Sequence, residues 1–408
     1  MWIKEAKARK IFNSLGQEIV EIEIKGDNGN VGIGSCDVGL SKSSFEVNSF
    51  PEKGVDHVID KFNSSIGKPM INLKVMDFDD LEEVEKLFRI YDITNNLADI
   101  GGNIIISTEY AILRALSENG NVAKFLNPNK DKFPAVLINI VGGGKHSLGR
   151  GPDFQEFIVI PKTKDIIKAV EAAIEIDKIM EDEIGKRDKE FNKKRNLKGA
   201  LSPNMLNLEI LSLLHKVSNK VAREKKIRIS LGLDVAANYL WNGRKYEYKK
   251  FSKLESKRNL SREEHIEFIS KVISNYKLDY IEDPFEENDF EGFRELNKGL
   301  GIIAGDDIIS TRIDRLKENE KKISAVIIKP DQIGSLVKTK ELIDYCFKNK
   351  IMPILSHRTG ASNDSIISHL AVGWELPMIK LGLIGGERIN RLNELIKIKE
   401  NLQSNLIG

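Results

Sequence analysis

The sequence predicts an α/β protein in which an eight-stranded (β/α)8 barrel follows a smaller α+β domain. From about residue 135, short apolar runs alternate with amphipathic helical stretches, and these 274 residues (135 to 408) match the roughly 250 residues of such a barrel. The preceding third carries hairpin and helix patterns instead. A chain of 408 residues also exceeds the size at which one hydrophobic core stops growing. We therefore assign residues 1–130 to the first domain and 131–408 to the barrel.

The N-terminal domain begins with a β-hairpin pattern. Apolar residues alternate with polar ones over residues 20–24, a turn rich in glycine and asparagine occupies residues 26–29, and Val31 and Ile33 continue the alternation. Helical spacing of apolar residues predicts the next elements, and an acidic stretch before the first of them suits a helix N-terminus. These elements are a helix over residues 81–88, a helix over residues 110–116 and a break at residues 127–129.

Eight apolar runs predict the strands of the barrel. They do not alternate with polar residues, which is typical of parallel strands that are covered on both faces. An open doubly wound sheet would normally carry a glycine-rich nucleotide turn after its first strand, and the chain has none, so we prefer the barrel. The runs are AVLINIV from residue 135, EFIVIP from 156, RISLGLDV from 228, LDYIEDP from 278, GIIAGDD from 301, AVIIKP from 325, MPILSHR from 352 and MIKLG from 378.

Composition excludes several classes of function. The 63 Lys and Arg residues nearly balance the 61 Asp and Glu residues, so no general field attracts nucleic acid or anionic lipid. No apolar run approaches the roughly 20 residues of a transmembrane helix, and the first residues lack the apolar segment of a signal peptide. Cys36 and Cys346 are too few and too far apart for a disulfide framework or a cysteine zinc site. We expect a cytoplasmic protein without nucleic-acid or membrane partners.

The late apolar runs each finish in an ionisable residue. These residues follow one another at separations of 48, 24, 23, 28 and 23 positions, close to one strand–helix unit each apart from the first gap. The carboxyl ends of barrel strands converge on one mouth, where active sites lie, so we expect these side chains to meet. They are Asp234, Glu282, Asp306, Lys329, His357 and Lys380.

Three of these residues predict a metal site. Asp234, Glu282 and Asp306 would crowd three carboxylates together, and like charges at that range repel unless a cation lies between them. Hard oxygen ligands without cysteine or a histidine cluster favour Mg²⁺ or Mn²⁺ over zinc.

The basic residues complete the predicted chemistry. Lys329 and Lys380 supply positive charge, and a lysine close to a divalent cation and another lysine has a lowered pKa that suits a general base. The planar donors of Arg358, next to His357, suit a phosphate or a carboxylate. Together with the metal site, these residues indicate proton abstraction next to a metal-bound carboxylate.

An ordered set of short segments resembles the enolase family over almost the whole chain. Each segment alone is weak evidence, but the set in this order is specific. The segments are Gly143-Gly144-Lys145-His146, Asp153-Phe154-Gln155-Glu156-Phe157, Ile281-Glu282-Asp283-Pro284-Phe285, Gly305-Asp306-Asp307, Gln332-Ile333-Gly334 after Lys329, and Ser356-His357-Arg358-Thr359-Gly360.

The resemblance implies an enolase-type barrel, a homodimer or larger homo-oligomer, and conversion of 2-phosphoglycerate to phosphoenolpyruvate and water. By the same resemblance, the three carboxylates hold a first Mg²⁺, and Lys329 removes the proton from C2. Lys380 neutralises the substrate carboxylate, and Ser41 binds a second Mg²⁺. The implied contacts with the small phosphorylated carboxylate substrate are His146, Glu156, Ser356, His357, Arg358 and Thr359.

Lys198 departs from the family pattern. It stands where the family has the glutamate that donates a proton to the leaving hydroxyl, so we expect impaired or altered elimination, since general acid help contributes about 10²–10⁴-fold. Glu156 is a second candidate for that donor. Two alternatives therefore remain open. One is an enolase-superfamily enzyme that acts on another carboxylate, and the other is a catalytically silent, enolase-like binding protein.

Overall fold

The N-terminal part of the chain is an α+β unit around a three-stranded antiparallel sheet. A computed structural model describes residues 1–40, 42–129, 132–147, 151–249, 259–296, 299 and 301–404. The predicted hairpin, both predicted helices and the predicted break are confirmed. The strands are β1 (Ile3–Phe12), β2 (Glu18–Gly26) and β3 (Val31–Ser35), and the helices are α1 (Gly54–Lys61), α2 (Leu81–Arg89), α3 (Gly102–Leu116) and α4 (Val122–Leu126).

The rest of the chain forms a closed eight-stranded barrel, and all eight predicted runs are strands. The barrel strands are β4 (Ala135–Gly142), β5 (Glu156–Lys162), β6 (Arg228–Asp234), β9 (Tyr280–Glu282), β10 (Ile302–Gly305), β11 (Ala325–Ile328), β12 (Met352–Ser356) and β13 (Met378–Gly382). A separate short hairpin consists of β7 (Tyr246–Glu247) and β8 (Asn259–Leu260).

Helices connect most of the barrel strands. They are α5 (Ile166–Arg187), α6 (Asn207–Lys225), α7 (Arg262–Tyr276), α8 (Phe290–Leu296), α9 (Ile313–Asn319), α10 (Pro330–Ile333), α11 (Leu336–Lys348), α12 (Ile366–Gly373) and α13 (Gly386–Ser404). The predicted domain boundary at residues 130 and 131 lies outside the described residues and stays a prediction. None of the described helices is both long enough and apolar enough to cross a bilayer.

One strand corrects the prediction of an all-parallel barrel. Strand β5 runs antiparallel to both β4 and β6. The described residues between β4 and β5 contain no α-helix, whereas parallel neighbours are joined by a long crossover connection that is usually helical. The reversal places the start of β5 beside the ends of its neighbours, where Glu156 pairs with Gly142 and Asp234. Glu156 therefore lies at the same mouth as the other strand-end residues.

Helix α3 packs very closely on strand β3. The two apolar residues that the hairpin pattern contributed, Val31 and Ile33, are exposed, and the glycines beside them face the helix. A Cβ atom on Gly32 would lie 1.8 Å from the carbonyl oxygen of Ala111, and one on Gly34 would lie 2.2 Å from that of Ser107. Only glycine allows the two backbones to approach in this way.

Gly32→Ala is expected to lower the free energy of unfolding by about 3 kcal/mol, because overpacking against a backbone atom forces the strand and helix apart. Gly185→Ala is the matched control. A Cβ at Gly185, in α5, meets nothing within 4 Å, so this change should stabilise the chain by about 0.5–1 kcal/mol. Denaturant titrations of both variants measure the difference, and equal stabilities would contradict the close packing.

Buried ion pairs join the N-terminal unit to the barrel. The Asp37 carboxylate accepts a hydrogen bond from Nη2 of Arg391 at 2.7 Å. The Asp364 carboxylate accepts two from the guanidinium of Arg114, at 2.6 and 2.7 Å. In each pair one residue belongs to the N-terminal unit and the other to the barrel, and both carboxylates are largely shielded from solvent. Separating the two parts would therefore break both ion pairs.

Candidate active site

The predicted site residues meet at the mouth of the barrel. Twelve of the thirteen lie in the described part of the chain, and all twelve are buried. Ser41, the predicted ligand of a second Mg²⁺, lies outside the described residues. Strand ends supply most of the twelve, and the reversal of β5 adds Glu156.

Lys380 is the charge centre of the site. Its Nζ atom lies 2.7 Å from Glu282, 2.9 Å from Asp234 and 3.1 Å from Glu156. Burial alone would lower the pKa of Lys380, but the three carboxylates more than offset that effect and raise its pKa well above the ordinary value. Lys380 is therefore an ammonium that balances three surrounding acids.

Glu282 also accepts a hydrogen bond from a residue of its own strand. The hydroxyl of Tyr280, two residues earlier and on the same inward face of β9, donates a hydrogen bond to Oε2 of Glu282. Burial and the neighbouring Asp234 raise the pKa of Glu282 to about 8. Its other oxygen, Oε1, has no hydrogen-bond partner among the described residues. The sequence did not indicate a role for Tyr280.

Lys329 contacts Asp306, which alters the predicted pKa of the lysine. Burial works to lower the pKa of Lys329, but the Asp306 carboxylate outweighs it and raises the pKa. The sequence predicted a lowered pKa because it assumed a neighbouring cation in place of this direct ion pair. Burial works to raise the pKa of Asp306, and Lys329 outweighs that effect and lowers it. Oδ1 of Asp306 has no hydrogen-bond partner in the described part.

Two further acids that the sequence interpretation missed lie beside Asp306. Asp283, in the left-handed region at φ 40°, accepts the backbone N–H groups of Asp306 and Asp307, each at 2.8 Å. Carboxylate oxygens of these three residues lie within 4.8 Å of one another. Burial and Asp306 raise the pKa of Asp307 to about 7. The signal was present, since Asp283 and Asp307 directly follow two predicted ligands.

Among the described residues, the acids whose ligand atoms lie within 4.8 Å of one another are Asp283, Asp306 and Asp307, so only Asp306 of the three predicted ligands belongs to this group. Of the predicted ligands, Asp234 and Glu282 contact Lys380, while Asp306 contacts Lys329, so ion pairs satisfy part of their charge. Glu282 and Asp306 each keep one buried oxygen without a hydrogen-bond partner in the described part. Buried carboxylate oxygens of this kind are the ligands that Mg²⁺ accepts.

Lys198 lies at the mouth of the barrel beside Glu156, a contact that the sequence did not predict. Its Nζ atom is 2.5 Å from Oε1 of Glu156. The side chain of Asn196 shapes this loop by accepting the backbone N–H groups of Lys198 and Ala200 at 2.9 and 3.1 Å. Burial lowers the pKa of Lys198. Burial opposes ionisation of Glu156, but Lys198 and Lys380 outweigh it and hold its pKa well below the ordinary value, so Glu156 is ionised.

Two neutral histidines flank Lys198. His146 has both ring nitrogens, and His357 has Nε2, without a hydrogen-bond partner among the described residues. Burial, with the nearby Lys198 charge, lowers the pKa of each histidine well below its ordinary value. Arg388 connects the loop of Lys198 to His357. Its guanidinium donates to the carbonyl of Leu197 at 2.7 Å and lies 3.5 Å from Nδ1 of His357. The unpartnered nitrogens can therefore bind a polar ligand.

Arg358 is bound by two carboxylates. Its guanidinium donates to Glu46 and to Asp331, and these acids outweigh the effect of burial and raise the pKa of Arg358. The sequence predicted neither partner, because no pattern relates residue 46 to a residue 312 positions later. The neighbouring Thr359 accepts the backbone N–H of Leu40 at 2.8 Å through its hydroxyl. Ser356 donates its hydroxyl to the carbonyl of His357 at 3.1 Å.

Comparisons with known proteins agree with this geometry over the whole chain. Residues 3–126 match the family model described as the N-terminal domain of enolase, and residues 130–407 match the one described as its C-terminal TIM barrel domain. The chain is 36% identical to the enolase of Methanosphaera stadtmanae and 35% identical to those of Methanothermobacter thermautotrophicus and Pyrobaculum aerophilum. Each alignment covers 98% of this chain and 97% of the relative.

Proposed function

The chain belongs to the enolase family of carbon–oxygen lyases, and on that premise we propose that it acts on 2-phosphoglycerate with Mg²⁺. The observation that carries the proposal is the pair of buried lysines at one mouth, each in contact with predicted metal ligands. Lys329 contacts Asp306, and Lys380 lies within 3 Å of both Asp234 and Glu282. A small carboxylate with an acidic C–H bond is the substrate class that this arrangement suits.

Lys329 is the proposed base. The Asp306 carboxylate favours the protonated amine, so Asp306 has to turn to another partner before Lys329 can accept the C2 proton. Lys380 remains an ammonium and balances the negative charge that develops on the substrate carboxylate. Arg358 holds the phosphate group. Mg²⁺ bound by Asp234, Glu282 and Asp306 would add positive charge next to the same carboxylate.

The second half of the reaction is where this chain departs from its family. Loss of the C3 hydroxyl requires a proton, and Glu156 is ionised beside Lys198 and Lys380. Of the two residues in this ion pair, Lys198 is then the remaining candidate to donate a proton to the C3 hydroxyl. An ammonium is a weaker acid than a carboxylic acid. The Lys198–Glu156 ion pair therefore favours a second candidate function, in which the ligand binds and exchanges its C2 proton but is dehydrated slowly.

Both candidate functions are tested by measuring hydrogen–deuterium exchange at C2 of 2-phosphoglycerate together with the formation of phosphoenolpyruvate. We expect exchange to exceed dehydration by at least about 10²-fold, the lower range of general acid catalysis. Dehydration as fast as exchange would exclude the second candidate. The absence of both reactions on 2-phosphoglycerate, with exchange on another carboxylate from a substrate panel, would shift the proposal to a different enolase-superfamily reaction.

Binding of Mg²⁺ should strengthen as the pH rises from about 6 to 9. A bound cation favours the ionised form of the carboxyl groups that ligate it or lie beside it. The pKa of Asp307, which lies beside the proposed ligand Asp306, is raised to about 7, and that of the proposed ligand Glu282 is raised to about 8. Calorimetry at several pH values, in buffers of different ionisation enthalpy, measures both affinity and released protons. Asp307→Asn should remove the proton release near pH 7 that accompanies Mg²⁺ binding and leave the proton release near pH 8. An affinity that is flat or falls with pH would contradict the raised pKa values.

We also propose a homodimer or larger homo-oligomer, the assembly that the resemblance implies. An exposed apolar pair on β3 is consistent with it, since Val31 and Ile33 are 50% and 41% exposed. Light scattering of the purified chain determines the mass, and a monomer at micromolar concentration would exclude the assembly.

A further inference from the structure

A carboxylate of the chain itself occupies the donor face of Arg358. Nη1 of Arg358 lies 2.7 Å from Oε2 of Glu46, and Nη2 lies 3.1 Å from Oε1. Both side chains are 3% exposed. Two parallel N–H···O bonds to one acid are the geometry with which a guanidinium also binds phosphate. Glu46 therefore occupies hydrogen-bond donors that a phosphate group would use.

Glu46 and the second acid on Arg358 differ in how the fold holds them. Asp331 lies 2.5 Å from Nη1 of Arg358 and belongs to α10 of the barrel. Glu46 belongs to the segment between β3 and α1, in which no described residue lies in a helix or a strand. It also accepts the backbone N–H of Ser43 at 3.1 Å and the side-chain amide of Gln332 at 3.2 Å. Glu46 thus fixes its own segment to the barrel through the arginine.

The charges around Arg358 also favour displacement of Glu46 when a phosphate group binds. Lys42 interacts electrostatically with Arg358, Glu46 and Asp331, so two cations face two carboxylates and the group is neutral as a whole. A phosphate dianion added to this group would place four negative charges against two positive ones in a buried site, which is costly. If Glu46 leaves, the site carries one net positive charge before the dianion enters.

A space for the displaced side chain lies next to it. A cavity of about 460 Å³ is lined by Glu46 and by two arginines and two further acids, Arg312, Arg315, Asp314 and Glu318. The guanidinium of Arg315 already lies 3.5 Å from the ring centre of Phe45. Arg312 pairs with Asp314 at 3.0 Å, whereas Arg315 donates to the backbone carbonyls of Ile308 and Glu287. Arg315 is therefore the cation on this wall that can balance the Glu46 carboxylate once it has left Arg358.

We propose that Glu46 is an internal competitor for the phosphate site, and that the phosphate group of the substrate must displace it from Arg358. The inference rests on the proposed function only in taking Arg358 as the phosphate-binding residue. Apparent affinity equals intrinsic affinity multiplied by the fraction of molecules in the competent state. If Glu46 is bound for nine-tenths of the time, it weakens phosphate binding about tenfold, by this same relation.

Calorimetric titration of the full-length chain with inorganic phosphate tests the proposal. Glu46→Gln should tighten phosphate binding at least about tenfold, as the population argument requires. Asp331→Asn is the matched control, because it also removes one negative charge beside Arg358 but leaves the competitor in place. We expect less than about a threefold gain for that control. Equal gains in the two variants would overturn the proposal, and so would failure of phosphate to bind to the Glu46→Gln variant.

Hydrogen–deuterium exchange of the unmodified chain gives a second readout that needs no variant. The Ser43 amide donates to Glu46, so phosphate binding should speed its exchange by removing the acceptor. Slower or unchanged exchange at saturating phosphate would overturn the proposal. Neither readout requires Mg²⁺ or turnover. A chain that binds phosphate in this way but exchanges no C2 proton would refute the proposed function and leave the competitor intact.

Discussion

Lys329→Met is expected to reduce hydrogen exchange at C2 of 2-phosphoglycerate by at least about 10³-fold, within the range that general base catalysis supplies. Lys329 is buried at the barrel mouth, and its amine contacts Asp306 on the neighbouring strand end. Methionine keeps the length and apolar stem of the side chain but cannot accept a proton. The rate is followed by the loss of the C2 proton signal in deuterated buffer with Mg²⁺.

Lys329→Arg separates loss of the base from loss of the ion pair. Arginine keeps a positive charge beside Asp306, so the buried carboxylate is not left unpaired, which is the costly outcome for a buried pair. Its pKa is too high for it to act as a base. Both variants should therefore lose exchange, while the arginine variant keeps the thermal midpoint of the parent chain. Exchange within tenfold of the parent rate in either variant would assign the base to another residue.

Lys198→Glu is expected to raise net dehydration by about 10²-fold or more, because it supplies a carboxylic acid at the donor position. The new side chain would lie beside Glu156, and two neighbouring carboxylates share a proton since both cannot ionise easily. Exchange at C2 should change by less than about tenfold, because Lys329 is unaltered. Phosphoenolpyruvate formation and C2 exchange, measured on the same sample, separate the two steps.

Lys198→Met is the control for that gain. It removes the ammonium next to Glu156 without providing an acid, so it should raise dehydration little. It also leaves Glu156 with Lys380 as its remaining ion-pair partner in the described site. Equal dehydration rates in the glutamate and methionine variants would mean that charge alone controls the step, and would remove Lys198 from the proton-transfer role.

Most of the fold could be predicted because buried strands leave an apolar run wherever they occur. All eight runs became barrel strands, but the direction of β5 could not be read from its apolar run, since a fully covered strand looks the same in either direction. Direction depends on the path of the connecting segments, which the apolar run itself does not specify. The packing of α3 on Gly32 was likewise missed, because the exposed residues beside it carried the apolar signal.

The candidate site was predictable where it follows strand ends. Asp234 and Lys380 lie together, as the spacing of the late runs indicated. Glu46 was missed because its partner lies far along the chain and on another part of the fold. Tyr280 was missed because a tyrosine inside a strand is more often a core residue than a hydrogen-bond donor to an acid. Contacts between residues that are far apart in the chain produce no regular spacing in the sequence.

The ion pairs between the N-terminal unit and the barrel predict how the two parts of the chain behave when they are expressed as separate fragments. A truncated barrel would carry Arg391 without Asp37 and Asp364 without Arg114, and the isolated first third would carry Asp37 and Arg114 without these barrel partners. Each fragment expressed by itself should then collect in inclusion bodies. Producing both fragments in one cell should recover dissolved, folded material, since each half brings the charges that the other lacks.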